Sequence, residues 1–191
     1  MNSSPARRTF LVRLCQGGLL AAVPGLTFGH ERARVVYPPV PPAYRIVAQS
    51  LALPPKLLFA IAIQESTMQW GALALPWPWT LNVRRSPRRY QRYPEAVTDL
   101  KHMLAQGVRN VDCGPMQVNW HYHSDKLRTP ELALDPWHNL RVAGAILLER
   151  RRSAANWFDA AGAYHSPGDS ARANRYARSV FARMERIPDH A

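Results

Sequence analysis

Glu65 closes an otherwise apolar stripe. Leu57, Leu58, Ile61 and Ala62 recur at helical spacing, and the Glu65 carboxyl falls on the same face. An isolated buried charge is costly, so such a carboxyl must be paired, protonated or set at the edge of a cleft. Apolar surroundings favour its neutral form, which is what a general acid near neutral pH requires. Two other segments carry groups that could work beside it. Gly114-Pro115-Met116-Gln117-Val118-Asn119 puts a tight turn ahead of two amide side chains suited to hydrogen-bonding a sugar hydroxyl or N-acetyl group. Ala163-Tyr164-His165-Ser166 ends a helical pattern with a phenol beside polar groups.

The elements that must position these groups read as mostly helical. Helical spacing predicts helices over 43–53, 56–68, 94–106, 135–152, 156–165 and 171–186. Pro55 suits the first turn of the second, and Gly107 stops the third. Asp135 suits the N-cap of the fourth. Residues 69–93, with Pro76, Pro78 and arginines from Arg84 to Arg92, read as one long irregular loop holding at most a short hairpin. Residues 108–119 read as a turn or short strand. The expectation is a mainly α single domain with a long loop and little or no sheet.

The chain has 191 residues and 47% hydrophobic content, enough for one real core and incompatible with wholesale disorder. Its net charge is +12. Residues 1–29 read as an export signal, with Arg7, Arg8 and Arg13 ahead of an apolar run too short to span a bilayer comfortably. Arg7-Arg8 fits a twin-arginine signal, and a cut after Gly29 follows the small residues there. An uncleaved anchor is the alternative. The cut removes three arginines and no acid, lowering +12 to +9, and takes Cys15 with it. Cys113 then stands alone, so no intramolecular disulfide forms; it reads as a small buried residue beside the turn. Residues 30–42 read as a basic, proline-rich, extended linker, and 43–188 as the functional domain.

The order of the motifs resembles the lytic transglycosylases of the soluble-lytic-transglycosylase (SLT) family. The pair Glu65-Ser66, then Gly114-Pro115-Met116-Gln117, then Ala163-Tyr164 carry the resemblance. Trp77-Pro78-Trp79-Thr80-Leu81-Asn82 and the spacing of Asp135-Pro136 to Asn139 add to it. It spans about residues 45–182. The resemblance implies a lysozyme-like α-rich (α+β) fold, Glu65 as single acid/base with Ser66 beside it, and Met116 and Gln117 lining the groove. Asn119 joins them as a polar contact. Tyr164 is implied near the carboxyl, and Trp77 and Trp79 could stack on sugar faces or simply pack the loop. Two departures stand out: Pro115 replaces the family's Leu, and His165 its Asn. The implied reaction cleaves the β-1,4 bond of peptidoglycan glycan strands to give 1,6-anhydromuramoyl ends, with no metal or cofactor.

Rival readings remain open. A hydrolysing lysozyme needs a second carboxylate or a positioned water, and Asp112 is the acid closest to the motifs. A non-catalytic wall-binding subunit would have no use for a cleft carboxyl. Zinc finds poor ligand spacing: His121 and His123 are two apart, His30 and His190 lie near the ends, and no His-Glu-x-x-His occurs. Arginines are not interleaved with aromatics, which argues against nucleic acid and suits an anionic wall polymer. The expectation is a periplasmic monomer, serving by family analogy a secretion, pilus or conjugation machine.

Overall fold

The computed structural model describes residues 35–189. The predicted export signal and the first residues of the linker lie outside the described residues. The rest of the linker, 35–41, is docked: Tyr37 and Val40 are buried, and Val36 forms a parallel bridge to Leu73. Pro42 then opens α1 (Pro42–Ser50), and Pro55 opens α2 (Pro55–Ser66) from its first-turn position.

Helix α2 is the centre of the molecule. Seven consecutive residues, Leu57 through Ile63, are buried, because α1, the hairpin that follows and the last helix cover it on different sides. The single apolar stripe expected from the sequence is therefore only part of its contact surface. Phe59, Ala60 and Ile63 bury the other faces. The helix ends at Ser66 rather than at 68, and Thr67 leaves it with extended backbone (φ −48°, ψ 130°).

Thr67 opens β1 (Thr67–Trp70), which pairs antiparallel with β2 (Leu73–Pro76). Next come β3 (Thr80–Val83) and β4 (Ser86–Arg89), so the segment expected to be an irregular loop holds two hairpins. Its prolines hid them: Pro76 sits at a strand end, and Pro87 lies on β4, an edge strand where a missing N–H is tolerated. Helix α3 (Tyr93–Ala105) stops before Gly107, whose φ of +79° takes the chain out of the helix. Then β5 (Val111–Cys113) and β6 (Val118–Asn119) complete a sheet in the order β4-β3-β5-β6.

Two helices without a sequence prediction follow, α4 (Trp120–Leu127) and α5 (Pro130–Leu134). They lead into α6 (Pro136–Ser153), whose Asp135 cap accepts from the His138 N–H at 2.7 Å, as predicted. Helices α7 (Trp157–His165) and α8 (Ser170–Met184) close the domain. They cross closely at Gly162, where a Cβ would meet the Ala173 carbonyl oxygen at 2.8 Å. The described residues thus form eight helices and two small sheets, the mainly α, lysozyme-like architecture expected.

Candidate active site

The turn between β5 and β6 is built first, because everything around it holds it. Gly114 has φ +75°, and a Cβ there would lie 2.6 Å from the Asn139 side chain. Fully buried Asn139 fills that space. Its Oδ1 accepts from the Met116 N–H at 3.0 Å, and its Nδ2 donates to the carbonyls of Cys113 (2.9 Å) and Ala133 (3.0 Å). Ser66, also fully buried, donates to the Pro115 carbonyl at 2.8 Å. Tyr164 donates to the Met116 carbonyl at 2.8 Å. Helices α2, α6 and α7 therefore converge on four residues of turn, satisfying backbone groups that burial would otherwise leave unpaired.

This arrangement turns two expected site residues, Ser66 and Met116, away from the groove and gives Tyr164 a partner in the turn. Ser66 faces the turn from behind, not the groove. The Met116 side chain is buried in the core, and only its backbone takes part. Tyr164 gives its hydroxyl to the turn rather than to Glu65; burial first, then the Glu65 charge, pushes its phenol well above the usual range. Gln117 adopts φ +48° and donates from Nε2 to the carbonyls of Gly114 (2.8 Å) and Thr80 (3.2 Å).

In front of the turn lies a groove of about 870 Å³, walled by Glu65, Gln117, Asn119, Tyr164 and His165 among the predicted residues. Trp77 and Trp79 are not among its walls. They meet edge-on at 5.7 Å, and Trp77 donates from its indole to the Tyr90 carbonyl, so these two rings tie the hairpins together. The Glu65 side chain is 13% exposed. A carboxyl so enclosed needs donors, and Tyr176 of α8 supplies one, its hydroxyl 2.5 Å from Oε1. The Tyr176 phenol is itself raised well above the usual range by burial and by Glu65. His165 stacks flat on the Tyr176 ring (centroids 4.3 Å apart, planes 3° apart), with Nδ1 3.7 Å from the same Oε1.

Asp112 stands in the same groove. Its Oδ2 accepts from Asn82 Nδ2 at 3.0 Å and its Oδ1 from Asn119 Nδ2 at 2.7 Å. Burial pushes its carboxyl above the ordinary range, opposed by those two amides and reinforced by Glu65. Asn119 also caps α4 through Oδ1.

With the order of these elements fixed, comparison with known proteins has a definite meaning. The model of the transglycosylase SLT domain family matches residues 43–183. The chain belongs to that family. No curated protein and no solved structure matches the chain. Membership supports a lytic-transglycosylase type of action on peptidoglycan.

Within this SLT domain, sequence reasoning passed over residues around Glu65. Tyr176, buried behind the carboxyl, is the chief of them. Its one signal was a phenol in the buried stripe Tyr176, Ala177, Val180 of an arginine-rich helix, where a polar tip needs a buried partner. Asn82, Arg150 and Arg172 line the groove itself. Of the histidines considered as ligands, His123 lines the groove with its pKa lowered by burial, and His121 is exposed. His30 and His190 lie outside the described residues. Cys113 is buried as expected, and burial pushes its thiol up.

Proposed function

We propose that this domain cleaves the β-1,4 bond between N-acetylmuramic acid and N-acetylglucosamine by lytic transglycosylation, with Glu65 as its single acid and base. The observation that carries this reading is the enclosed Glu65 carboxyl at the groove wall, with the Tyr176 hydroxyl on Oε1. Glu65 gives its proton to the glycosidic oxygen as the bond from the muramoyl C1 breaks. The C6 hydroxyl of the same sugar attacks C1, and its proton passes to the Glu65 carboxylate. Glu65 is restored, no water is consumed, and a 1,6-anhydro ring forms. Because nucleophile and electrophile belong to one sugar, positioning supplies much of the rate, and one carboxyl suffices. Gln117 and Asn119 line the groove with their amide N–H groups already given to the Gly114 and Thr80 carbonyls and to Asn110 and Asp112, so they shape the wall on which the sugar lies.

Mass spectrometry of material released from purified murein tests the reading. Products one water lighter than hydrolysis would give support it. A second reading rests on Asp112: a held carboxyl in the same groove is what a hydrolysing muramidase uses. Reducing ends, lost on Asp112→Asn, would make the domain a lysozyme. Absence of release by the folded protein would favour a wall-binding subunit. The reading extends to an exported, periplasmic monomer acting at a secretion, pilus or conjugation machine. Arg7-Arg8 and the apolar run behind them support export; recovery of a shortened chain from the periplasm tests it.

A further inference from the structure

Glu65 meets an unusual partner. Its Oε1 faces the Tyr176 hydroxyl and His165 Nδ1 together, and His165 is held by stacking flat on that same tyrosine. His165 is also the last residue of α7, where helix carbonyls favour a cation. The family pattern has an uncharged Asn here. Asn can donate a hydrogen bond but cannot carry charge.

We propose that His165 is a positioning residue which, as an imidazolium, holds the Glu65 carboxylate as its counter-ion between the two proton transfers. This rests on the transglycosylase reading above. When Glu65 has protonated the leaving oxygen, a carboxylate remains in an enclosed site, and a cation 3.7 Å from Oε1 lowers the energy of that state. No proton leaves His165 during the cycle. The imidazole ring, fixed by Tyr176, also keeps Oε1 turned toward α8, leaving the other oxygen for the sugar.

The surrounding charges agree in sum. The polar contact with Glu65 raises the pKa of His165, partial burial opposes it, and Asp112 on β5 adds to the rise. Arg172 on α8 lowers it, but Arg172 is paired with Asp169 at 3.6 Å. Tyr164 and Tyr176 are kept neutral. Arg150 on α6 is a further cation lining the groove.

The test combines NMR titration of the His165 ring with a rate profile. In the wild-type protein His165 titrates above the ordinary histidine range. In Glu65→Gln its midpoint moves down, because the carboxylate is gone. On murein, kcat/KM of the wild type falls more steeply with pH above that midpoint than that of His165→Asn, because the wild type there loses the His165 proton in addition to the proton that Glu65 must donate. His165→Asn stays active at reduced rate and loses this steeper limb, while His165→Ala is slower still. An unmoved midpoint in Glu65→Gln, or the same limb in His165→Asn, overturns the proposal. Failure of the wild type to release anhydro products overturns the transglycosylase reading instead, and the titration distinguishes that case because it needs no substrate.

Discussion

A carboxyl group acquires its function from what donates to it, and Glu65 shows how indirect the supply is. Tyr176 lies 111 residues away in the sequence, yet its hydroxyl is 2.5 Å from Oε1. Hydrogen bonds to charged groups contribute about 1.5–3 kcal/mol, and each 1.4 kcal/mol is a tenfold change in rate. Tyr176→Phe should therefore lower kcat roughly 10- to 100-fold with little change in KM, since the phenol sits behind the carboxyl and not on the sugar. Steady-state kinetics on murein fragments read this directly; a rise in KM at constant kcat would show Tyr176 to be a binding residue. Glu65→Gln removes the exchangeable proton while keeping size and most packing. It should cost at least about 100-fold in turnover with an unchanged melting temperature. On the proposed mechanism the two variants differ in kind: one removes the reacting group, the other only its orientation. On the same mechanism, replacing His165 should add a third effect, on the pH at which the reaction runs.

Elements matter here through the turn they hold. Asn139→Ala would strip partners from the Met116 N–H and from the Cys113 and Ala133 carbonyls at once. A loss of about 3 kcal/mol follows, a fall of roughly 10 °C in melting temperature. Thermal unfolding checks it, and a shift near zero would mean that water replaces the amide. The β3–β4 hairpin offers the opposite case. Val83 pairs with Ser86, so Arg84 and Arg85 form a two-residue turn with φ +52° and +66°. Arginine suits that left-handed region poorly, whereas Asn-Gly fits it. Arg84→Asn with Arg85→Gly should stabilise by about 1 kcal/mol, raising the melting temperature by roughly 3 °C. The same hairpin marks the limit of what the sequence discloses. Helices α2, α3, α6, α7 and α8 were legible because apolar spacing, first-turn prolines, the Asp135 cap and the Gly107 stop agreed. The segment 108–119, read as a turn or short strand, holds β5 and β6, but the hairpins before it were not legible, because a short edge strand written Ser86-Pro87-Arg88-Arg89 has no alternation to read and its turn lacks glycine. Glu65 stood out from its apolar stripe, and the order of motifs that resembles the SLT family pointed to Gln117, Asn119 and His165 beside it, all four of which line the groove. The inward turn of Ser66 and of Met116 could not, since burial there depends on α6 and α7 arriving from far along the chain. Tyr176 escaped for the same reason.

On the scale of the whole molecule, charge is the property that packing leaves unspent. The chain carries 25 Lys plus Arg against 13 Asp plus Glu. Arg150 and Arg172 stand in the groove itself, and Arg175 and Arg178 are exposed on α8. Exposed charges contribute little to stability one by one, but their summed field raises the local concentration of an oppositely charged polymer. Peptide-bearing glycan strands carry carboxylates at every stem, so they are such a polymer. The bond-breaking step involves no net charge brought from outside, and Glu65, Tyr176 and the turn behind them are enclosed. Salt should therefore act on capture and not on chemistry. The Debye length shrinks from about 10 Å at 0.1 M to about 3 Å at 1 M. Over that range the KM for intact murein should rise severalfold while kcat holds steady, and the dependence should weaken on glycan stripped of its peptides. Initial rates on both substrates across ionic strengths decide this. Equal salt dependence on the two would mean that the arginines serve some other partner, and a fall in kcat would mean that the groove cations touch the reacting sugar.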